Sequence, residues 1–313
     1  NLFNRWQAAQ TLLTNSLLHM IERIRDGKAP GGNARLARLI GKTVLNEEID
    51  PAYRAAFLSL PTEADLVRAL GSNIDPTANG RAKKALAKSI GKTLRDGLIE
   101  VYETHQGRGA YSPDALSEGK RSLRASCLMF LTATEMAEEY ERANIHYNTA
   151  RNMTAAVAAL QSLNGHRSAE RDIVFQDFHD KWLDDHLVID KWFGLQAMCP
   201  LPSALKTVRS LLRHEKFNIE NPNKVRAVLA AFAGANPTQF NRPDGKGYEL
   251  MAKQILRIDR FNPQIAARLI GAFRSWQKLE PTRQDLMKEQ LKAISLESKL
   301  SKDSYEIVQK ILG

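Results

Sequence analysis

Cysteine is almost missing: Cys127 and Cys199 are the only two in 313 residues, far apart and in apolar surroundings. A disulfide framework is excluded, and a reducing, cytoplasmic setting is expected. No run of apolar residues nears the ~18 of a membrane helix, the longest being Ala227 to Ala235, so no membrane partner is expected. No charged stretch precedes an apolar core at the start, so no signal peptide is read there. The chain opens on Asn1-Leu2-Phe3 without a methionine, which raises the expectation of a piece of a longer protein. After residue 60 no alternating apolar and polar pattern with turn chemistry occurs, which removes a sheet from consideration. Nucleophile elbow, phosphate loop and dinucleotide fingerprint are all lacking.

What is present is an ordinary globular composition, 43% hydrophobic and 26% charged. The length admits two domains or one extended helical array. Helical periodicity dominates, beginning with Leu12, Leu13, Leu17, Met20, Ile21 and Ile24. Further helices are expected over 62–71, 77–105, 113–126, 128–143, 149–163, 167–181, 183–198 and 201–213. Others are expected over 222–233, 245–259, 263–275, 281–295 and 302–311. Ser112-Pro113, Asn221-Pro222, Asn262-Pro263 and Glu280-Pro281 each place a proline at a first helical position, and Ser203 stands ready to cap Ala204. Gly31-Gly32 and Gly107 to Gly109 are the best breaks.

The segment from Asn221-Pro222 to Phe232 superposes on that from Asn262-Pro263 to Phe273, with Val228 and Leu229 on Leu269 and Ile270. The shift falls in the ~40 to 47 residues of helix-pair repeats. The fold class expected is therefore all-α, a superhelical stack of antiparallel helix pairs of the HEAT/armadillo-like α-solenoid kind. Residues 1–60 read as a first helix plus an irregular region, and 61–313 as the repeat stack.

Chemistry is harder to find. His214-Glu215-Lys216-Phe217-Asn218 reads HExxN, and Asn218 stands where a zinc site needs its second histidine. His214 is read as an exposed capping residue. His179 and His186 flank Asp180, Asp184 and Asp185, read as an acidic solvated face. Asp244-Gly245-Lys246-Gly247 is a turn, too poor in glycine to cradle phosphate. No metal site and no catalytic residue is expected in the chain. The net charge of +10 has a local candidate in Arg81, Lys84, Lys88, Lys92 and Arg95, one basic helical stripe. Without interleaved aromatics it reads as a solvated face rather than a nucleic-acid surface. The acidic run Glu135, Glu138, Glu139 and Glu141 reads the same way. Arg226, Gln264 and Arg268 differ. Gln264 and Arg268 stand four apart beside the small Ala267 and Gly271, on a helix whose buried face is Ile265, Leu269 and Phe273. Arg226 sits on a similar flank beside Val225, Leu229 and Phe232. Such arginines either meet a ligand carboxylate or carbonyl, or tie neighbouring helices through a glutamate.

A family resemblance adds to this. Phe3-Asn4-Arg5-Trp6-Gln7-Ala8-Ala9-Gln10 resembles the FNRWEAxQ opening of the C-terminal domain of bacterial aminopeptidase N, a zinc aminopeptidase. Asp50-Pro51, Leu60-Pro61-Thr62-Glu63, Ile74-Asp75-Pro76, Gly119 to Arg124, Asn152-Met153-Thr154 and Asp190 to Phe193 continue it. Asn221-Pro222-Asn223 with Arg226, and Asn262-Pro263-Gln264 with Arg268, complete it. The resemblance implies a helical domain that closes over an upstream catalytic domain and walls in a cavity for peptide substrates. Zinc and its HExxH ligands belong to that upstream domain, so this chain carries no cofactor of its own. The resemblance gives Arg226, Gln264 and Arg268 the role of contacting substrate beyond the scissile bond. The alternative is an independent α-solenoid scaffold that binds peptides or proteins without a catalytic parent.

Overall fold

The computed structural model describes residues 2–107 and 111–313. Asn1, and Gly109 of the Gly107 to Gly109 break, lie outside the described residues. Among the described residues every regular element is helical, and the one extended pairing is an isolated parallel bridge between Ile74 and Leu279. The chain divides into two compact units, residues 1–69 with 78–177, and residues 70–77 with 178–313.

The first unit begins with the helix Leu2–Arg25, whose Leu13, Leu17, Met20, Ile21 and Ile24 are buried in the expected period. Where an irregular region was expected before residue 60, two helices form, Ala34–Val44 and Pro51–Phe57. Both carry a side-chain cap: Asn33 accepts from Leu36 N–H and Asp50 from Ala52 N–H. The expected helix 77–105 is two, Pro76–Thr93 and Arg95–Thr104, with Leu94 between them. Segments 113–126 and 128–143 also differ from expectation. One helix, Ala115–Thr132, runs through the expected gap, and the next is Ala137–Asn148. Burial explains it: Leu123, Cys127, Leu128 and Leu131 form one continuous stripe that gives the helix no reason to stop. Its cap is Asp114, which accepts from Ser117 N–H, not the Ser112-Pro113 pair. Helices Met153–Leu163 and Ala169–Trp182 follow.

Close approach inside this unit depends on Gly91. A Cβ there would lie 2.1 Å from the Phe130 carbonyl oxygen, so Pro76–Thr93 touches Ala115–Thr132 almost backbone to backbone. That approach brings the basic stripe and the acidic run face to face. Lys84 and Lys88 both hold Glu135, which sits at a left-handed φ of +64°. Arg95 reaches Glu138 and Glu139, and Arg142 bridges Glu139 to Glu103. Read separately as solvated faces, the two runs in fact pair through Lys84, Lys88 and Arg95 with Glu135, Glu138 and Glu139, and the Glu139 side chain is fully buried between two guanidiniums.

In the second unit the helices are Val188–Ala197, Ala204–Leu211, Pro222–Val225, Ala231–Ala235, Pro237–Phe240, Lys246–Asp259, Pro263–Ile270, Pro281–Ser295 and Lys302–Leu312. Ser203 precedes Ala204 but makes no side-chain cap. The Asp244 to Gly247 turn caps Lys246–Asp259, with Gly245 left-handed at φ +69°. A Cβ on Gly247 would lie 2.1 Å from the Phe240 carbonyl oxygen, so this turn also permits a tight crossing. Arg283 ties the unit's ends together. It donates to the Asn241 carbonyl at 2.6 Å and to Thr77 at 2.5 Å, and pairs with Asp75 and Glu280. Cys127 in the first unit and Cys199 in the second are both buried.

Candidate functional site

Arg226, Gln264 and Arg268 all lie in the second unit, on the two segments that superpose in sequence. Asn221 caps the first by accepting from Asn223 N–H at 2.9 Å, and Pro222 occupies the first turn. Asn262 caps the second by accepting from Ile265 N–H at 3.2 Å, with Pro263 in the same place. The inward positions agree pair by pair. Val225 and Ala266, Val228 and Leu269, Leu229 and Ile270, and Phe232 and Phe273 are all buried. Both phenylalanines meet the same ring, Phe240, edge-on at centroid distances of 6.2 and 5.7 Å. One aromatic pin therefore fixes both segments.

The buried face of the second segment differs slightly from expectation. Ile265 is only half-buried, and Ala266 and Ile270 are buried instead. Gln264 and Arg268, four apart, share the outward face, and both are exposed. Arg226 is exposed as well, at the first residue of a π-helical turn, Arg226–Ala230, which no local pattern announces. Such turns recur at functional sites because the wider coil re-aims a side chain. Neither arginine pairs with a carboxylate among the described residues, so of the two readings left open the glutamate tie is not formed here. Lys224, two residues before Arg226, points the other way. It is buried, donates to Asp190 Oδ1 at 2.6 Å and the His186 carbonyl at 3.2 Å, and stands over the Phe193 ring.

The histidines assemble differently from their sequence reading. His214 is not an exposed cap: it packs edge-on against Phe193 and beside Trp192. Its Nδ1 accepts from Lys216 N–H at 3.1 Å, which leaves the ring proton on Nε2. That Nε2 lies 3.0 Å from His179 Nε2, and His179 Nδ1 donates to Asp180 at 2.8 Å. Burial, then the neighbouring His179, pushes the His214 pKa down. His186 stays exposed and joins no cluster. The His179–His214 pair has its inward nitrogens turned on each other and no third ligand. Among the described residues no group of three or more His, Cys, Asp or Glu could hold a metal ion.

The comparisons place this architecture. All of it, residues 1–313, matches the family described as "Domain of unknown function (DUF3458_C) ARM repeats". The chain belongs to this family. This DUF3458_C domain is 37% identical to an aminopeptidase N of Caulobacter vibrioides, over the whole of this chain and 36% of that protein. It is 35% identical to an aminopeptidase N of Escherichia coli over the same shares. A solved structure, "Crystal structure of Legionella pneumophila aminopeptidase A in complex with aspartic acid", matches with a TM-score of 0.87 and 26% identity. That match covers all of this chain and 37% of the other. The DUF3458_C domain thus spans about a third of the length of these relatives, and it is homologous to their C-terminal helical region. The ARM-repeat description agrees with the all-α solenoid class expected from the sequence.

Proposed function

We propose that this domain closes the substrate cavity of a zinc aminopeptidase and that Arg226, Gln264 and Arg268 contact the peptide beyond the scissile bond. The parent releases N-terminal amino acids from peptides. Its zinc, held by an upstream catalytic domain of the same polypeptide, would activate the attacking water. One observation carries the site assignment. Arg226 and Arg268 stand exposed, with no carboxylate partner among the described residues, on two segments pinned by Phe240. A guanidinium kept free of acidic partners can take a peptide carbonyl or terminal carboxylate bidentately. The Gln264 amide, four residues from Arg268, can add a donor and an acceptor to the same backbone. The scarcity of cysteine, two buried residues in 313, supports the cytoplasmic setting that belongs to this reading.

The test uses the full-length parent carrying Arg226→Ala or Arg268→Ala. Each charged hydrogen bond to substrate contributes about 1.5–3 kcal/mol, which is roughly a 10- to 150-fold loss of kcat/KM on tetrapeptides. Aminoacyl chromogenic substrates, which end at the scissile bond, should be spared. Unchanged kcat/KM across tripeptides and tetrapeptides overturns the assignment. The isolated chain should bind no stoichiometric zinc and release no amino acid, and either activity would refute the catalytic role given to an upstream domain.

A further inference from the structure

A second cationic site lies in the first unit, in a cavity of about 370 Å³ between the end of Arg95–Thr104, the start of Ala115–Thr132 and the start of Met153–Leu163. Lys120, Arg121, Arg124 and Arg151 line it, and none of its described lining residues is acidic. Elsewhere in this unit Lys84, Lys88, Arg95 and Arg142 all meet carboxylates, yet none of these four does. Two of them are held in place by neutral groups. Arg121 donates to the Ser112 carbonyl at 2.8 Å with its guanidinium over the Tyr111 ring, and Arg124 lies 4.3 Å over the Tyr102 ring. The first turn of Met153–Leu163 adds backbone N–H groups without intrahelical partners and the positive end of a helix dipole. Asn152 takes up only one of them, accepting from Ala155 N–H.

An independent feature points to a ligand. His146 also lines the cavity and is only 3% exposed. Its Nδ1 is hydrogen-bonded to the Tyr102 hydroxyl at 2.8 Å, while its buried Nε2 makes no hydrogen bond of normal geometry among the described residues, although the Ala155 backbone acts on the ring. Buried ring nitrogens are normally satisfied, and leaving one unpaired costs stability. With the Tyr102 hydroxyl donating to Nδ1, the Nε2–H is a donor looking for an acceptor. Four unmatched cations, a helix N-terminus and a buried donor all call for the same partner.

We propose that this cavity binds a small oxyanion, a carboxylate or a phosphate, with Arg124 and Arg151 supplying charge and His146 Nε2–H the buried hydrogen bond. The site lies in the first unit and Arg226, Gln264 and Arg268 in the second, and its test does not involve them. The experiment is calorimetric titration of the 313-residue chain at fixed ionic strength with inorganic phosphate, with N-acetylalanine and with its neutral amide. Phosphate or the carboxylate should bind saturably with a Kd of about 1–10 mM or tighter, while the amide does not. The tighter of the two anions names the source of the ligand. Arg151→Gln, at an exposed position that leaves the fold intact, and Arg124→Gln should each weaken binding about fivefold or more, as should His146→Leu. Raising the salt should weaken it further. Absence of saturable binding by either anion, equal binding of the amide, or an unchanged Kd in both arginine variants would each overturn the proposal.

Discussion

Replacing Glu139 by glutamine tests the reasoning about charge in the first unit. Its two carboxylate oxygens are divided between two cations, Oε1 accepting from Arg95 at 2.6 Å and Oε2 from Arg142 at 2.8 Å, and the side chain has no exposure. Glutamine keeps the shape, offers one acceptor instead of two, and turns an NH2 group toward one of the guanidiniums. Breaking a fully buried pair costs about 3–5 kcal/mol. Two features reduce that here. Both arginines are about a quarter exposed, so water reaches the orphaned cation, and each keeps a second carboxylate, Glu138 for Arg95 and Glu103 for Arg142. The expected loss is therefore about 2–3 kcal/mol.

For a unit of this size that corresponds to roughly 4–12 °C in Tm. Urea titrations followed by hydrogen–deuterium exchange over the peptides of 115–148 would localise the loss to this unit and separate it from unfolding of the other. Glu135→Gln is the control. Glu135 also touches two cations, Lys84 and Lys88, but all three are partly exposed, and pairs of that kind contribute under ~1 kcal/mol. A double-mutant cycle of Glu139→Gln with Arg95→Met should return a coupling of at least ~1 kcal/mol. If Glu139→Gln costs less than about 0.5 kcal/mol, or if Glu135→Gln costs as much, burial does not set the worth of these pairs and the reasoning fails.

Acid should destabilise the first unit. Burial, with Arg124 nearby, pushes the pKa of His146 down to about 4, and burial, with Lys84 nearby, does the same to His166. The unfolded chain takes both protons near pH 6.5, so stability is complete above that pH and falls as pH drops toward 4, by at most about 1.4 kcal/mol per pH unit for each histidine. Urea midpoints between pH 7.5 and 4.5 read the slope, and His166→Gln should make it shallower; a flat profile, or an unaltered slope in that variant, contradicts it. Glu135, held down at about 2 by its two lysines, loses its contribution only below that window, as pH falls from the ordinary glutamate range toward 2. In the second unit, Asn236→Ala should cost about 2–4 kcal/mol. Its buried amide donates to the Ala197 and Cys199 carbonyls at 2.9 and 2.7 Å, and both would be left without that donor. A loss below ~1 kcal/mol, measured as the shift in urea midpoint, would show that water replaces the amide.

The helices were legible because their signals are local. Asn221-Pro222, Asn262-Pro263 and Glu280-Pro281 each specify a cap and a first turn within three residues, and the structure has all three. Where expectation and structure part, the deciding contact is distant in sequence. The stop expected near residue 127 does not occur because Cys127 and Leu128 are both buried, which no window of neighbours reveals. The pairing of the basic stripe with the acidic run depends on Gly91 letting one helix touch the carbonyl of Phe130, some 40 positions away in sequence. Each run alone has the period of a solvated helix face, and only the crossing makes them partners.

At the candidate site, too, what is legible is what local spacing determines. That Gln264 and Arg268 share a face follows from a spacing of four, and that each segment buries Phe232 or Phe273 follows from their superposition. That Arg226 begins a π turn does not follow from Arg226-Ala227-Val228-Leu229-Ala230, a stretch with nothing against ordinary helix. Nor does the unpaired state of the two arginines, since pairing is decided by which carboxylates the fold brings near. His179 and His214, 35 positions apart, could not be joined in advance either, and joining them changes their meaning. The histidine of the broken HExxN motif is spent on another histidine and on a backbone N–H, so the resemblance to a zinc motif has no chemical content here. A motif read without its partners states only which residues are present, and the fold decides what each of them meets.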